Sequence, residues 1–520
     1  MSPICRNLTS YFSKNNQISK NFGMMFMIVV KERYTLKLKK MLHVILITLF
    51  VTMSIATSAA VNAESVKTIE DESIYDLLVD RFFNGSGLND NDVNTKDSNA
   101  FNGGDFQGLI AKKAFIEQMG FSIVSIGAVF QTEKYDGSMP TSYTKLEPHF
   151  GTEEELQNVI STYEKSGMKI MVDFPLSNVS ENHEWFANGG NRDWIASEQN
   201  GKIALNLENA NVQTALKDSL KEFIEKYNVS IRLTNIEEVD TTLLNDLIKI
   251  VKDQREHAYV ISNQASDANF DASYDDAMIE KQRNIFKTVD QDSSNVVNHI
   301  TTMPPTQVLI DSPWTDRFIL YGEKEGMYPP TRAKMAVLST LLLPGVPVVQ
   351  YGTEIAMNGT AGSEAHQLYN FKTDSELIDQ ISNVQQLRNT SETLRNGKFD
   401  LLKNENGYIA FTRTSDEEQW LVVINNTSRT KNVVLSKEQI GEGKKVVALL
   451  EPENIREDKN GNYTVILDRE MVEIYHIQED KGINKTYIIA LGLVYVLFTW
   501  FVIVIVRRGK IRRAEQDVKK

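Results

Sequence analysis

A single cysteine, Cys5, stands in a chain of 520 residues. No disulfide framework is available, so core packing must hold the fold, together with metal if one is bound. The seven histidines show no metal-ligand spacing. No Gly-rich nucleotide loop, zinc pattern or Ser/His/Asp arrangement stands out. Basic residues are in deficit: 56 Lys and Arg face 69 Asp and Glu. Eight bases and one acid lie in residues 1–63, and seven bases and two acids in residues 507–520, which leaves −25 on residues 64–506. Such a body repels polyanions, which excludes nucleic acid as a partner and argues against a polyphosphate ligand. What is present, 41% hydrophobic and 24% charged residues, is the make-up of an ordinary globular protein. It is long enough for a barrel of about 250 residues and a second domain.

Long apolar runs number only two, and they set the expected topology. The first, Met41 through Ala60, follows Lys37, Lys39 and Lys40 and ends in small residues at Val61–Ala63. Basic, apolar, then small is the order of a secretory signal, with cleavage expected near Ala63 and Cys5 lost with the leader; an uncleaved anchor is the alternative. Met24, Met25 and Met27 are alternative starts for this long leader. The second run, Thr486–Val506, has 21 residues and no charge, enough at ~1.5 Å per residue to cross a ~30 Å hydrocarbon layer. Arg507, Arg508, Lys510, Arg512 and Arg513 follow at once. Positive residues stay inside, so a single-pass cell-membrane protein is expected, with residues 64–485 extracellular and the C-terminus cytoplasmic.

Between the runs, β-branched stretches alternate with helical ones. SIYDLLV (73–79), FSIVSI (121–126), KIMVDF (169–174), VSIRL (229–233), AYVIS (258–262), TQVLI (306–310) and VPVVQYG (346–352), with one more near Ala272–Tyr274, make eight strands. Strand–helix alternation predicts parallel β/α units, and eight is the number of a closed barrel, although periodicity alone describes an open doubly wound sheet equally well. After Asn396 short alternating strands such as YIAFTRT (408–414) and WLVVINN (420–426) predict an antiparallel sandwich. The expected order is a leader over 1–63, an (β/α)8 barrel over 64–395 and a β-sandwich over 396–478. A linker (479–485), a transmembrane helix (486–506) and a basic tail (507–520) follow.

Five segments carry a family resemblance. IYDLLVDRFFNG (74–85), FNGGDFQGL (101–109), YTKLEPHFGT (143–152), GMKIMVDFPLSNVSENHEWF (167–186) and LPGVPVVQYGTEI (343–355) resemble, in the right order, conserved segments of the α-amylase family, glycoside hydrolase family 13. The resemblance implies a barrel, an insertion after the third strand that is short here (about 176–210), and a C-terminal β-sandwich.

It also implies chemistry that this sequence lacks. Retaining glycoside hydrolysis uses two carboxyl groups about 5–5.5 Å apart, a nucleophile and an acid/base, and the family adds a third acid. In VSIRLTNIEE (229–238) Arg232 is kept, but Thr234 stands at the nucleophile's position; a threonine hydroxyl is not a carboxylate and has no adjacent base. In AYVISNQA (258–265) Asn263 stands for the acid/base, and an amide has no proton to give. In LIDSPWTDRF (309–318) Pro313 and Trp314 replace a His-Asp pair, and Asn178 replaces a histidine. Glu237, Glu238, Asp240, Asp267, Asp311 and Asp316 lie near the strand ends and are the acids available for a rebuilt site; solvated loop charges are the plainer reading. Asp173 and Asp311 match framework acids of the family.

Two features remain. NGSGLNDND (84–92) with GGD (103–105) resembles the family's calcium site, with Asn84, Asn89, Asp90, Asp105 and the Gly103 carbonyl as an all-oxygen shell. Ser86 replaces one amide ligand, and a polar Asn/Gly turn is the alternative. Trp314 either stacks on a sugar ring or plugs the old pocket. Arg232, having lost the nucleophile carboxylate, is expected to pair with Glu237 or Glu238 or to hold an anion. Arg232, Asn178 and Trp314 are the candidate substrate-binding residues.

The leading expectation is a membrane-anchored extracellular α-amylase-like protein of carbohydrate metabolism that does not hydrolyse, and instead binds an α-glucan or oligosaccharide or a membrane-protein partner. The alternative is an active surface α-glucan hydrolase or transglycosylase with relocated acids. A pure binding module predicts an open cleft lined by exposed aromatics; partner docking predicts a filled mouth and an apolar patch elsewhere.

Overall fold

The computed structural model describes residues 67–300, 305–480, 482 and 485–517. The leader expected over residues 1–63 lies outside the described residues.

Seven parallel strands form one sheet, in the order Val260–Ser262, Ser230–Thr234, Lys169–Pro175, Ile123–Ser125, Ile74–Asp76, Val346–Gln350 and Gln307–Leu309. Single parallel bridges from Ile261 to Ala272 and from Ser273 to Thr306 join the two ends. Residues 272 and 273 thus act as the eighth stave and close the sheet into a barrel. The strands are buried on both faces, as parallel strands covered by helices are: Ile74, Val124, Val172, Ile231 and Val260 are all enclosed.

Local sequence explains the helices that cover them. The helix Glu153–Glu164 starts at a capping box in which the Thr152 hydroxyl accepts from the Glu155 N–H while the Glu155 carboxylate accepts from the Thr152 N–H. Asp105, Asn209, Asp240 and Asp275 cap the helices that follow them. Gly120, at φ 81°, ends the helix Phe106–Met119 in the left-handed conformation that glycine adopts without strain.

After the third strand the chain makes a three-stranded antiparallel sheet from Asn178–Ser180, Ile195–Gln199 and Lys202–Leu205. Beyond the barrel, a six-stranded and a two-stranded antiparallel sheet enclose a core of their own that includes Tyr408, Leu421, Leu435, Tyr463 and Val465. This sandwich is clamped to the barrel by Asn426, whose amide donates to the carbonyls of Ile285 and Thr288. The fully buried Arg332 reaches Asn426, the Phe286 carbonyl and Glu470. The chain ends in the helix Lys485–Asp517, of which Tyr487–Ile511 has a mean hydropathy of 2.8 and is not buried against the body. By length and composition it is able to cross a membrane.

Candidate functional site

The mouth of a parallel barrel is where the C-terminal strand ends converge, and reactive side chains belong there. In-register neighbours on parallel strands share a face. Asp173 pairs in register with Arg232, and Asp76 lies level with Ser125 and Gln350. The interior of the barrel therefore gathers Asp76, Asp173 and Arg232. Arg232 donates from Nε to Asp173 Oδ1 at 2.7 Å and from Nη2 to Asp173 Oδ2 at 2.9 Å. It also donates from Nη1 to Asp76 Oδ2 at 2.8 Å and from Nη2 to Asp76 Oδ1 at 3.0 Å. All three side chains are buried. Burial works against charge on Arg232, but the two carboxylates outweigh it and hold the guanidinium protonated, with its pKa above the ordinary value. Burial raises the Asp173 pKa, with Arg232 opposing. The expectation that Arg232 turns to Glu237 or Glu238 is overturned: the strand register brings it to two interior aspartates, whereas both glutamates are exposed on the loop beyond the strand.

Trp314 lies over this triad, its ring centroid 4.8 Å from the guanidinium carbon, within cation–π range. It is 41% exposed, so its outer surface faces solvent while its inner surface covers Arg232. The cavity left at this point is about 100 Å³, lined by Asp173, Pro175, Thr234, Trp314, Asp136 and His366 among others. That is well below the ~300 Å³ at which small-molecule pockets begin. Thr234 and Trp314 meet in this cavity. Asn263 and Asn178 do not line it: Asn263 is buried with its Oδ1 unbonded, and Asn178 starts the insertion sheet and donates to Ser177 Oγ at 2.9 Å.

Four of the six acids available for a rebuilt site are engaged elsewhere, and the other two are exposed loop residues. Asp311 is buried and accepts from the Phe318 N–H at 2.6 Å and the Thr353 hydroxyl at 2.8 Å. Asp316 accepts from the Ala361 N–H at 2.7 Å, and Asp240 from the Thr242 N–H at 2.8 Å as a helix cap. Glu237 accepts from Gln264 Nε2 at 2.6 Å. Glu238 and Asp267 are exposed loop residues. None of the six lines the mouth cavity; the acids that do are Asp173, held by Arg232, and Asp136, which accepts from the Ser138 N–H and hydroxyl.

Three further residues shape the mouth, and no spacing in the sequence marks them. Asp76 is the last residue of the first strand. The Tyr135 hydroxyl donates to His366 Nδ1 at 2.9 Å, and His366 Nε2–H donates to the Pro313 carbonyl at 2.7 Å. These partners assign the neutral tautomer. Burial agrees, pulling the His366 pKa to about 4. His366 thus holds the backbone immediately before Trp314. On its other side lies an open polar cleft of about 680 Å³, lined by Lys96, Ser98, Asn358, Ser363, Gln367 and Leu368 among others.

The residues expected to ligate calcium lie on the loop after the first strand, where Asn84, Asp90 and Gly103 are neighbours. Asn84 Nδ2 donates to both Asp90 oxygens at 2.9 and 3.0 Å. Gly103 sits at φ 91°, and a Cβ there would meet Asn84 Nδ2 at 2.7 Å and Asp90 Oδ1 at 3.0 Å. Asp105 Oδ1 accepts from the Gly85 and Gly108 N–H groups and Oδ2 from Ser86 N–H; burial raises its pKa. Asn89 donates to the His149 carbonyl while its Oδ1 is buried without a partner. An orphaned buried oxygen among hard oxygen donors fits a calcium ion.

The architecture is that of a closed parallel barrel with an antiparallel insertion after its third strand and an antiparallel sandwich following it in the chain. A family profile described as "Alpha amylase, catalytic domain" matches residues 77–203, and one described as "Alpha-amylase C-terminal domain" matches residues 397–475. A solved α-amylase from Anoxybacillus is 31% identical with a TM-score of 0.76, over 80% of this chain and 100% of that one. The α-amylase of Geobacillus thermoleovorans, solved with acarbose, is 27% identical with a TM-score of 0.74, over 80% and 100%. The beta/alpha-amylase of Paenibacillus polymyxa is 24% identical over 479 residues, 82% of this chain but 39% of that protein. The chain belongs to the α-amylase family.

Proposed function

We propose that this chain is a membrane-anchored, extracellular member of the α-amylase family that binds an α-glucan without hydrolysing it. The observation that carries the reading is the seat of Trp314 on the Arg232–Asp76–Asp173 triad, which leaves a cavity of only about 100 Å³. Thr234 supplies no carboxylate there. At the mouth cavity the two acids present are held, Asp173 by Arg232 and Asp136 by Ser138, so the facing carboxyl pair that hydrolysis needs is not assembled there. In this reading Trp314 plugs the old pocket, and the cleft of about 680 Å³ beside it takes the glucan. The Geobacillus relative holds acarbose, which supports a saccharide as the ligand class. The filled mouth also fits a protein-partner role. Outside the terminal helix, however, the exposed large apolar residues among the described residues are few, and the diagonal pair Val434 and Ile466 on the two-stranded sheet is too small to favour that reading.

Asn84, Asn89, Asp90, Asp105 and the Gly103 carbonyl would hold a calcium ion that stabilises the loop without entering any chemistry. The helix Lys485–Asp517, with its basic end after residue 506, would anchor the chain and leave that end inside.

Calorimetric titration of the full chain in detergent with maltotetraose tests the reading. Heat of binding without release of glucose or maltose is expected. Absence of binding would remove the glucan and leave the protein-partner role.

A further inference from the structure

Away from the mouth, a depression of about 460 Å³ lies where the helix Pro329–Leu342, the turn Thr353–Ile355 and the helix Glu376–Thr390 meet Glu470 of the sandwich. Its volume falls in the ~300–1,000 Å³ range of small-molecule pockets, and junctions between domains are where such pockets concentrate. Tyr328 stands on its rim, 69% exposed.

One residue here breaks a local rule without a visible structural return. Tyr328 occupies the N-cap of the helix Pro329–Leu342 and makes no side-chain cap hydrogen bond, in a position that favours Ser, Thr, Asp or Asn. Pro329 and Pro330 follow it and fix the backbone, so the ring is carried on a stiff stem. Ala356 and Glu470 lie at φ 54° and 55°. Among the described residues nine non-glycine residues have positive φ, and six of them are Asn or Asp, which tolerate that conformation. The other three are Glu238, Ala356 and Glu470; Ala356 ends the turn Thr353–Ile355 as its left-handed cap and Glu470 pairs with Arg332, so both have a structural role at the edge of this depression. A large aromatic kept exposed at a capping position points to a binding role, because neither capping nor core packing accounts for Tyr328.

The lining selects the ligand. Tyr328 offers a ring face, Ile355 and Leu377 an apolar floor, Asp374 and Glu376 acceptors, and Lys334 and Thr331 donors. Glu470 is neutralised by Arg332. An anion would meet Asp374 and Glu376, and a cation would meet Lys334. A neutral ring with C–H faces and hydroxyl edges satisfies all of them. We propose that this depression is a second saccharide-binding site, in which one sugar ring stacks on Tyr328, separate from the cleft beside the mouth. The proposal rests on the reading of the chain as a saccharide binder.

The test titrates the full chain in detergent with maltotetraose, comparing wild type with Tyr328→Ala, Tyr328→Phe, Thr373→Trp and the cleft variant Gln367→Ala/Leu368→Ala. Tyr328→Ala is expected to weaken one binding event by about tenfold. Thr373→Trp, which fills the depression, should abolish the same event, and Tyr328→Phe should retain it. Thermal unfolding of each variant verifies its fold, and Thr373→Trp decides the matter if Tyr328→Ala does not fold. Wild-type binding in Tyr328→Ala and Thr373→Trp, with loss only in the cleft variant, would overturn this site and leave the proposed function standing. No binding by the wild type would overturn both.

Discussion

Arg232 holds the floor of the mouth, and its two aspartate partners make it a structural cation. Replacing it leaves two carboxylates buried without a counter-charge, which is the costly way to break a buried ion pair. Arg232→Met is expected to destabilise the fold by about 3–5 kcal/mol, read as a fall in the thermal midpoint by circular dichroism. Adding Asp76→Asn and Asp173→Asn should recover part of the loss; an unchanged midpoint in Arg232→Met would show that the triad carries little. Two buried histidines give the stability a pH dependence. Burial holds His183 and His366 at about 4, below the ordinary imidazole value, so between about 6.5 and 4 the unfolded chain binds protons that the folded chain does not. Stability therefore falls as the pH drops through that window. Asp80, raised by burial to about 6, acts the other way, because between about 4 and 6 its folded form keeps a proton that the unfolded carboxyl has lost. Asp105, Asp173, Glu354 and Glu473 are raised by burial as well and act with Asp80, so the histidine contribution, a decline of the thermal midpoint from about pH 6.5 to 4, is read by difference against a histidine variant. His366→Gln should flatten the decline, and an equally steep one would contradict the assignment.

The loop from Asn84 to Asp105 is the element that joins the first strand to its helix, and it is where the sequence was most informative about local structure. Its Asn, Asp and Gly spacing marked Asn84 and Asp90, which hydrogen-bond to one another, and Gly103, placed where a side chain would collide with both. Gly103→Ala is expected to lower the thermal midpoint, since it adds strain at positive φ as well as a clash. If calcium sits there, a chelator should lower the midpoint of the wild type and have much less effect on Asp90→Ala. The eighth stave was legible only as a position near Ala272–Tyr274, since two bridge residues carry no periodicity. The partners of Arg232 were not legible at all. Asp76 lies 156 positions away in the chain, and only the closure of the barrel brings it across the axis. His366 is hidden for the same reason, as its bonds to Tyr135 and Pro313 span 231 and 53 positions.

Across the whole molecule, the acidic body and the basic, apolar C-terminus were both written in composition and run length, which do not depend on tertiary contacts. The family resemblance extended that to the barrel and sandwich. If the helix Lys485–Asp517 anchors the chain, alkaline carbonate should leave the full protein in the membrane fraction, and truncation after residue 480 should release it; release of the intact chain would contradict anchoring. What the sequence could not convey was the state of the mouth, because Trp314 is compatible with an open stacking platform or a plug until its distance to Arg232 is known. The measurement that tests the central claim most directly is release of reducing ends from maltoheptaose by the full chain, beside a Thr234→Asp/Asn263→Glu/Trp314→Asp variant. No turnover above buffer is expected for the wild type, and any turnover in the variant would report a mouth reopened by removal of the tryptophan. Wild-type turnover well above buffer would contradict the account and direct attention to Asp136 and the acids of the neighbouring loops.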